Sequence, residues 1–108
     1  MITIQDFQKL QIRVGEVIAA AKVPGADKLL QLTLDFGDEA RTAVAGIALC
    51  YQPQQLVGKR VVAITNLQPA VIRGLRSDAM ILACGDERDL SVVMTDPERP
   101  APKGAIVR

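Results

Sequence analysis

The stretch LLQLTLDF, residues 29–36, decides the fold because apolar and polar side chains alternate along it. Successive side chains of a β-strand point to opposite faces, so this alternation predicts a strand with one buried and one solvent-facing side. The side chains expected in the core are Leu30, Leu32, Leu34 and Phe36. Gly37, Asp38 and Glu39 then form a tight connection to residues 40–48 (ARTAVAGIA), which we predict to be the hairpin partner.

Upstream of this hairpin, residues 10–23 (LQIRVGEVIAAAKV) are rich in β-branched side chains and predict a long first strand. The alternation of Ile12 and Val14 shifts beyond Gly15 to favour Val17, which indicates a bulge or bend near the glycine. Before it, TIQDFQKL predicts a short helix with Thr3 as N-cap and Asp6 in the first turn.

Downstream, residues 47–56 (IALCYQPQQL) lack strand alternation and contain Pro53, which predicts a helical turn or short helix. Further short strands follow at residues 60–67, 79–84 and 90–94, and the Pro-rich end should wrap the surface or meet a partner. We therefore predict a single domain over residues 1–108. Its class is all-β: a five-stranded Greek-key oligonucleotide-binding (OB) barrel with short helices and a C-terminal extension. A β-sandwich is the alternative.

The residue types needed for most catalysis are missing from this chain. It has no histidine and no GxGxxG or P-loop pattern, so we predict no enzyme, no metal and no cofactor. Asp86, Glu87 and Asp89 crowd around a glycine and are more typical of a solvated turn than of a metal site or an acid/base pair. Cys50 and Cys84 stand among apolar neighbours and are predicted to be free, buried thiols.

Two features bear on localisation. The first ten residues, MITIQDFQKL, show no basic leader before an apolar run, and no segment approaches the ~20 apolar residues of a spanning helix. The expectation is a soluble, cytoplasmic protein without a membrane partner.

Positive charge is concentrated in the middle of the chain. Residues 40–77 contain five basic side chains and no acidic one, while the segments on either side are net acidic. If that block forms one side of a barrel, it offers a face for phosphates. The alternative is that the basic residues scatter over different faces as ordinary solubilising charge.

Aromatic residues limit the mode of nucleic-acid binding. Single-strand binders of the OB type stack bases on several exposed rings, whereas this chain has only Phe7, Phe36 and Tyr51. We assign Phe36 to the core and Phe7 to the apolar side of the N-terminal turn. Recognition of a structured RNA through its backbone and shape, which needs no stacking platform, is the mode that remains.

Three blocks of the sequence also resemble a known family. Residues 6–37, 45–62 (AGIALCYQPQQLVGKRVV) and 66–83 (NLQPAVIRGLRSDAMILA) are similar to the tRNA-binding domain of bacterial methionyl-tRNA synthetases and of free-standing tRNA-binding proteins. The resemblance implies an OB-fold homodimer that binds tRNA by shape and performs no reaction of its own. The implied partners are tRNA and an aminoacyl-tRNA synthetase.

The resemblance also implies site residues. Lys28 and Arg73 would contact phosphates, Asn66 and Ser77 would form hydrogen bonds, and Met80 would supply an apolar contact to tRNA. Weaker candidates, chosen for charge and proximity, are Arg13, Lys59 and Arg76.

Each of these residues also has an ordinary structural interpretation. Asn66 can cap a turn, Ser77 can be a turn hydroxyl, and Met80 can belong to the core. Arg73 is the strongest candidate because Gly74 beside it indicates a tight turn that would project the arginine outward.

The match to the family pattern is incomplete. Ala70 and Val71 follow the proline where basic residues are common, and Ala79 stands before Met80 where a glycine is usual. The ending TDPERPAPKGAIVR resembles that of a sister branch, the CsaA-type secretion chaperones, which implies unfolded preproteins as the alternative partner. The ADKLL and AGIA blocks favour the synthetase-type branch.

Overall fold

The fold is built from short strands, and the computed structural model describes residues 1–108. One four-residue helix precedes nine strands. The elements are α1 (Ile4–Phe7), β1 (Ile12–Val23), β2 (Ala26–Asp35), β3 (Ala40–Ala45), β4 (Arg60–Ile64), β5 (Ala70–Ile72), β6 (Leu75–Ser77), β7 (Met80–Ile81), β8 (Ala83–Cys84) and β9 (Ser91–Val92). No helix of the chain is both long and apolar enough to cross a membrane.

The main sheet has five strands in the order β3-β2-β1-β4-β7, and all its paired strands are antiparallel. Its two edge strands approach each other because the sheet curls. The amide of Asp78, just before β7, donates to the carbonyl of Thr42 in β3 at 2.8 Å. This architecture confirms the predicted all-β class with five principal strands.

The alternation of residues 29–36 is confirmed by burial. Leu30, Leu32 and Leu34 are fully buried, and Phe36 joins them in a core closed from the other side by Val17 and Val61. Large aliphatic side chains of this kind each contribute about 1.5–3 kcal/mol when removed from water. This single face of β2 therefore supplies much of the core.

The predicted irregularity of β1 exists, but not at Gly15. The register with β2 shifts between Val17 and Ala19, so the bulge lies at Ile18. Gly15 makes room for the Phe36 ring. A Cβ at this position would stand 2.8 Å from Cε1 of Phe36, which is too close for a side chain to fit without a shift of the ring. The interrupted alternation thus correctly predicted a bulge in β1, but the predicted position near Gly15 was wrong.

Both predicted helical segments are confirmed. Thr3 caps α1 in a capping box: its hydroxyl accepts from the Asp6 amide, and the Asp6 carboxylate accepts from the Thr3 amide. The second hydrogen bond lowers the pKa of Asp6. After β3, the chain makes turns at Ile47–Tyr51 and a 3-10 turn at Pro53–Gln55, and Leu56 beside it is fully buried.

The segment from residue 66 to residue 84 differs from its prediction in two ways. What the sequence indicated as a plain loop contains a β-hairpin, in which Ala70 pairs with Ser77 and Ile72 pairs with Leu75. The run AMILAC, predicted as one strand, is divided at Leu82 into β7 and β8. The pairing partner changes at this residue, since β7 pairs with β4 and β8 pairs with β9.

The C-terminal extension pairs with the first residues of β1, on the side of that strand opposite β4. Val14 donates to the carbonyl of Ala105 at 2.9 Å, and Val107 donates to the carbonyl of Ile12 at 2.8 Å. Pairing begins only after Pro102, since proline has no amide hydrogen to donate. The expectation that the tail wraps the surface is confirmed, with added edge pairing.

Candidate nucleic-acid interface

The tip of the β5–β6 hairpin is the two-residue turn Arg73-Gly74. Both residues have left-handed backbone angles, with φ of 52° and 78°, as a type I′ turn requires. Gly74 adopts this conformation freely, but an arginine there costs about 1–2 kcal/mol. Arg73 is exposed and has no acidic partner within 4 Å, so the turn holds its guanidinium free in solvent.

Lys28 and Arg73 line one shallow cavity of about 470 Å³, formed between the β1–β2 turn and the hairpin tip. Asp27 also lines it, so the cavity has two basic side chains and one acidic side chain, and we call it the basic cavity. The structure therefore brings together the two residues predicted to contact phosphates, although they are far apart in sequence. Lys28 also forms an ion pair with Glu87 on the turn between β8 and β9.

A second cavity, of about 430 Å³, lies beside the hairpin and is mainly apolar. We call it the apolar cavity. Met80 lines it and is 53% exposed, so the interpretation of Met80 as a core residue is wrong. Leu67 and Ile72 line other parts of the wall, and the polar side chains of the lining are Gln68, Ser77 and Asp78.

Ser77 is buried between strands. Its hydroxyl accepts from the amide of Val44 at 3.0 Å and donates to the carbonyl of Ala79 at 3.1 Å. These bonds join β6 to β3 at the seam of the curled sheet. A tRNA contact by Ser77 stays a prediction. The two hydrogen bonds give the hydroxyl a structural role.

Asn66 lies at the end of β4 with both ends of its amide engaged. Its side-chain oxygen accepts from the amide of Gln11, and its side-chain nitrogen donates to the carbonyl of Lys9, both at 2.7 Å. The asparagine thus ties β4 to the segment that follows α1. Asn66 remains exposed, and its contact with tRNA stays a prediction.

The three weaker candidates occupy different environments. Lys59 is exposed and has no acidic partner. Arg76 is exposed and donates to Asp78 at 2.7 Å. Arg13 is buried.

Arg13 has a structural role under the C-terminal extension. Its guanidinium donates to Asp38 at 2.8 Å, lies 3.5 Å from Glu39 and stands 5.2 Å from the centre of the Phe36 ring. The hydrogen bond from Arg13 lowers the pKa of Asp38. Since its polar groups are already paired, Arg13 offers little to an external phosphate.

The acid-free block does not form one positive face. Arg41 pairs with Glu39, Arg60 with Glu16 and Arg76 with Asp78, so acids from other segments neutralise three of its five basic residues. The pairing with Glu39 raises the pKa of Arg41. Two of these acids, Glu39 and Asp78, stand two residues from their arginines, just outside the block, and only Glu16 is brought from a distant part of the chain. Counting charges inside the block therefore overstated its free positive charge.

Aromatic stacking platforms are lacking at both cavities. Phe36 is buried and Phe7 is half-buried, while the hydroxyl of the half-buried Tyr51 accepts from the amide of Val92 at 3.0 Å. None of the three rings lines the basic or the apolar cavity. Their positions agree with the expectation that extended base stacking is not the binding mode.

Two further sequence predictions concern the cysteines and the acidic turn. Cys50 and Cys84 are free, but Cys84 is exposed, so the prediction that both are buried is wrong. Its strand β8 lies outside the main sheet, where an apolar sequence does not ensure burial. Asp86, Glu87 and Asp89 form an exposed turn, and no group of three or more metal-ligating side chains is present.

Some residues of the two cavities were not found from sequence. Ile72 lines both cavities, and Asp78 and Gln68 line the apolar one. The short alternation within AVI, residues 70–72, was the available signal for Ile72. Nothing local indicated Asp78 or the pairing of Glu87 with Lys28.

A curled five-stranded antiparallel sheet with a basic hairpin turn projecting beside it is the architecture of the OB class of nucleic-acid-binding domains. The chain belongs to the tRNA-binding domain family, since the family model described as "Putative tRNA binding domain" matches residues 12–105.

Curated relatives are much longer proteins. The chain is 46% identical to a methionine–tRNA ligase of Methanoregula boonei over 108 residues, and 47% identical to one of Deinococcus radiodurans over 102 residues. The matches cover 100% and 94% of this chain, respectively, but only 16% and 15% of those ligases.

Solved structures include proteins of this size. A MetRS-related protein from Pyrococcus horikoshii is 34% identical, with a TM-score of 0.92 and coverage of 100% of this chain and 98% of that one. The chaperone CsaA from Bacillus anthracis is 27% identical, with a TM-score of 0.88 and coverage of 100% and 99%.

Proposed function

We propose that the chain is a non-catalytic module that holds tRNA through its phosphate backbone and shape, with the basic cavity as its phosphate-binding centre. The observation that carries this proposal is the convergence of Lys28 and Arg73 on one cavity. A strained left-handed arginine supports it, because backbone strain concentrates at functional positions. Lys59 and Arg76 extend the contact surface.

The synthetase connection is part of the proposal. Relatives that are 46% and 47% identical are methionine–tRNA ligases in which this region is a small fraction of the chain, while the Pyrococcus protein is hardly longer than this chain. We propose that the module works in the cytoplasm, free-standing or in trans with a methionyl-type synthetase. In either arrangement the synthetase, not this module, would perform the reaction.

We also propose that the module is a homodimer. Ile2, Ile4 and Ile106 are 74%, 61% and 58% exposed, and α1 buries none of its residues. Such side chains at the two termini are suited to an interface between copies. A dimer would present two basic cavities to one tRNA and raise the apparent affinity through effective concentration.

The test is tRNA binding measured at several salt concentrations. Because neutralised phosphates release counterions, the logarithm of the affinity should fall linearly with the logarithm of salt concentration. Arg73→Ala should weaken binding and flatten that slope by about 1. Arg99→Ala removes an equally exposed and unpaired arginine from the C-terminal extension and is the control. A slope near zero for the unaltered protein would refute the proposal.

The second candidate function is a chaperone for unfolded polypeptides. The apolar cavity with its exposed methionine and the fold shared with CsaA favour it. It predicts suppression of aggregation of a model substrate with little dependence on salt. If the protein fails in that assay and still binds tRNA, the chaperone function is rejected.

A further inference from the structure

We propose that the apolar cavity is a subsite for one unstacked guanine base of the bound RNA, with the carboxylate of Asp78 accepting hydrogen bonds from the base. The inference rests on the proposed tRNA-binding function and adds a base preference to it. The cavity lies between the end of β3, the segment after β4, the β5–β6 hairpin and β7, and its volume of about 430 Å³ is in the range of small-molecule sites.

The two cavities share one lining residue. Ile72 lines both of them, and it directly precedes Arg73 at the hairpin tip. A phosphate held by Lys28 and Arg73 would bring the adjoining nucleotide towards the apolar cavity along this shared wall. The base of that nucleotide, if unstacked, has an apolar wall within reach on which it can leave water.

The wall is chemically suited to a flat ring without using an aromatic side chain. Met80 contributes a polarisable thioether, which packs well on ring faces, and Leu67 and Ile72 contribute branched aliphatic surface. Leu67 and Met80 are 44% and 53% exposed. Covering them with a base would remove this apolar surface from water.

Asp78 supplies the polar complement. One carboxylate oxygen accepts from Arg76 at 2.7 Å, and the other has no hydrogen-bond partner in the protein. The backbone of Asp78 is fixed on both sides, because its amide donates to Thr42 and its carbonyl accepts from Arg41 at 3.2 Å. The carboxylate is thus held in place, and Arg76 offsets its charge near the RNA backbone.

An ionised carboxylate can only accept hydrogen bonds, which selects among the bases. Guanine presents two adjacent donors, N1–H and the N2 amino group, on its Watson–Crick edge, and such edges are read when a base is unstacked. Adenine and cytosine present one amino donor beside an acceptor, and uracil presents one N–H between two carbonyls. Gln68, whose amide has no partner in the protein, lines the same cavity and can donate to the guanine carbonyl.

The experiment uses the full chain with 13C-labelled methionine methyl groups and the four nucleoside 5′-monophosphates as probes. We expect GMP to shift the Met80 signal at a concentration about fivefold or more below that needed for AMP, CMP or UMP. Met1, at the exposed terminus, and Met94, paired with Val61 away from the cavity, are internal controls that should not move. Asp78→Asn should make the four nucleotides equivalent.

Inosine 5′-monophosphate tests the same contact without altering the protein, since it lacks only the N2 amino group. It should bind about fivefold more weakly than GMP. Equal Met80 shifts from GMP and IMP, or no Met80 shift with any nucleotide, would overturn the inference. A Met80 shift with an unfolded polypeptide alone would assign the cavity to peptide instead.

Failure of this inference is distinguishable from failure of the proposed function. Salt-dependent tRNA binding by the same sample, without a guanine preference at Met80, removes the base subsite and leaves the backbone-binding module intact. Absence of tRNA binding by the same sample removes the proposed function itself.

Discussion

At the scale of single residues, Ser77 shows how a side chain at a binding surface can serve the fold. Its hydroxyl satisfies the amide of Val44 and the carbonyl of Ala79, both belonging to residues that are themselves buried. The hydroxyl thereby joins β3 to the chain segment that carries Asp78 and Met80. Its influence on RNA binding is expected to pass through the placement of those neighbours.

Ser77→Ala should lower the free energy of unfolding by about 1–3 kcal/mol, because the buried Val44 amide loses its acceptor and no water replaces it. Urea denaturation measures the change. Ser91→Ala, which alters an exposed serine without a side-chain hydrogen bond, is the matched control and should be nearly neutral. A neutral effect at Ser77 would show that the seam does not depend on this hydroxyl.

At the scale of elements, the turn of residues 85–89 would compete with RNA for Lys28 at the proposed phosphate site. Glu87 in this turn pairs with Lys28, and the turn is anchored from behind by Cys50, whose sulfur accepts from the Leu90 amide at 3.4 Å. A phosphate entering the basic cavity would have to displace or share the lysine partner of this carboxylate. The acidic turn would thus limit the affinity of the proposed site.

Glu87→Gln should tighten tRNA binding by about two- to fivefold, the range expected for loss of one exposed ion pair. Titration at fixed salt concentration measures this change. Asp86→Asn makes the same charge change one residue away on a carboxylate with no basic partner. Equal tightening by both variants would mean that the change in net charge, and not the loss of the contact with Lys28, raises the affinity for tRNA.

A second element, the C-terminal extension, is joined to the end of β2 by an ion pair. Lys103 donates to Asp35 at 2.8 Å, which lowers the pKa of Asp35 below its usual 3.8 and raises the pKa of Lys103 above its usual 10.5. The Asp35 contribution is complete above its unfolded pKa and is lost as the pH falls through the folded value. The Lys103 contribution is complete below its unfolded pKa and is lost as the pH rises through the folded value.

Asp35→Asn should therefore loosen the extension at neutral pH, seen as faster hydrogen exchange of the Gly104 and Val107 amides that bond to β1. The difference between the variant and the unaltered protein should shrink as the pH falls below about 4, where Asp35 itself becomes neutral. Asp27→Asn, at an exposed and unpaired carboxylate, should leave these amides unchanged. A difference that persists at low pH would contradict the ion-pair explanation.

At the scale of the whole molecule, one copy supplies few unpaired cations near the basic cavity, and the proposed dimer would present two such cavities to one tRNA. Ile106→Glu places a charge at one of the three exposed isoleucines that we propose for the interface, the others being Ile2 and Ile4. It should convert the proposed dimer into a monomer in sedimentation equilibrium. Affinity for tRNA should fall with it by about 100-fold, because the second cavity is no longer held near the first.

Ile18→Glu is the control for this experiment, since Ile18 is 48% exposed at the bulge of β1 and not at the termini. It should leave both the dimer and the affinity intact. A protein that is monomeric at every concentration and still binds tRNA equally well would remove the dimer from the proposal.

The sequence predicted well those features that depend on neighbouring residues. The alternation around Leu32 identified β2, the chemistry of Thr3 and Asp6 identified the helix cap, and Gly74 identified the tight turn that exposes Arg73. Each of these signals is local, since strand period, capping and turn conformation are set within a few residues. The resemblance to tRNA-binding domains, which extends over most of the chain, supplied the family.

The tertiary structure alone decided which charges remain free and which cavities form. Arg13 resembled a surface cation in sequence and is buried beside Asp38, while Arg60 pairs with Glu16 and Lys28 with Glu87. These pairs depend on groups brought together by the curled sheet, at separations that no local pattern encodes. For that reason the sequence determined the strands, the turns and the family, and only the folded chain placed Lys28, Arg73 and Asp78 around adjoining cavities.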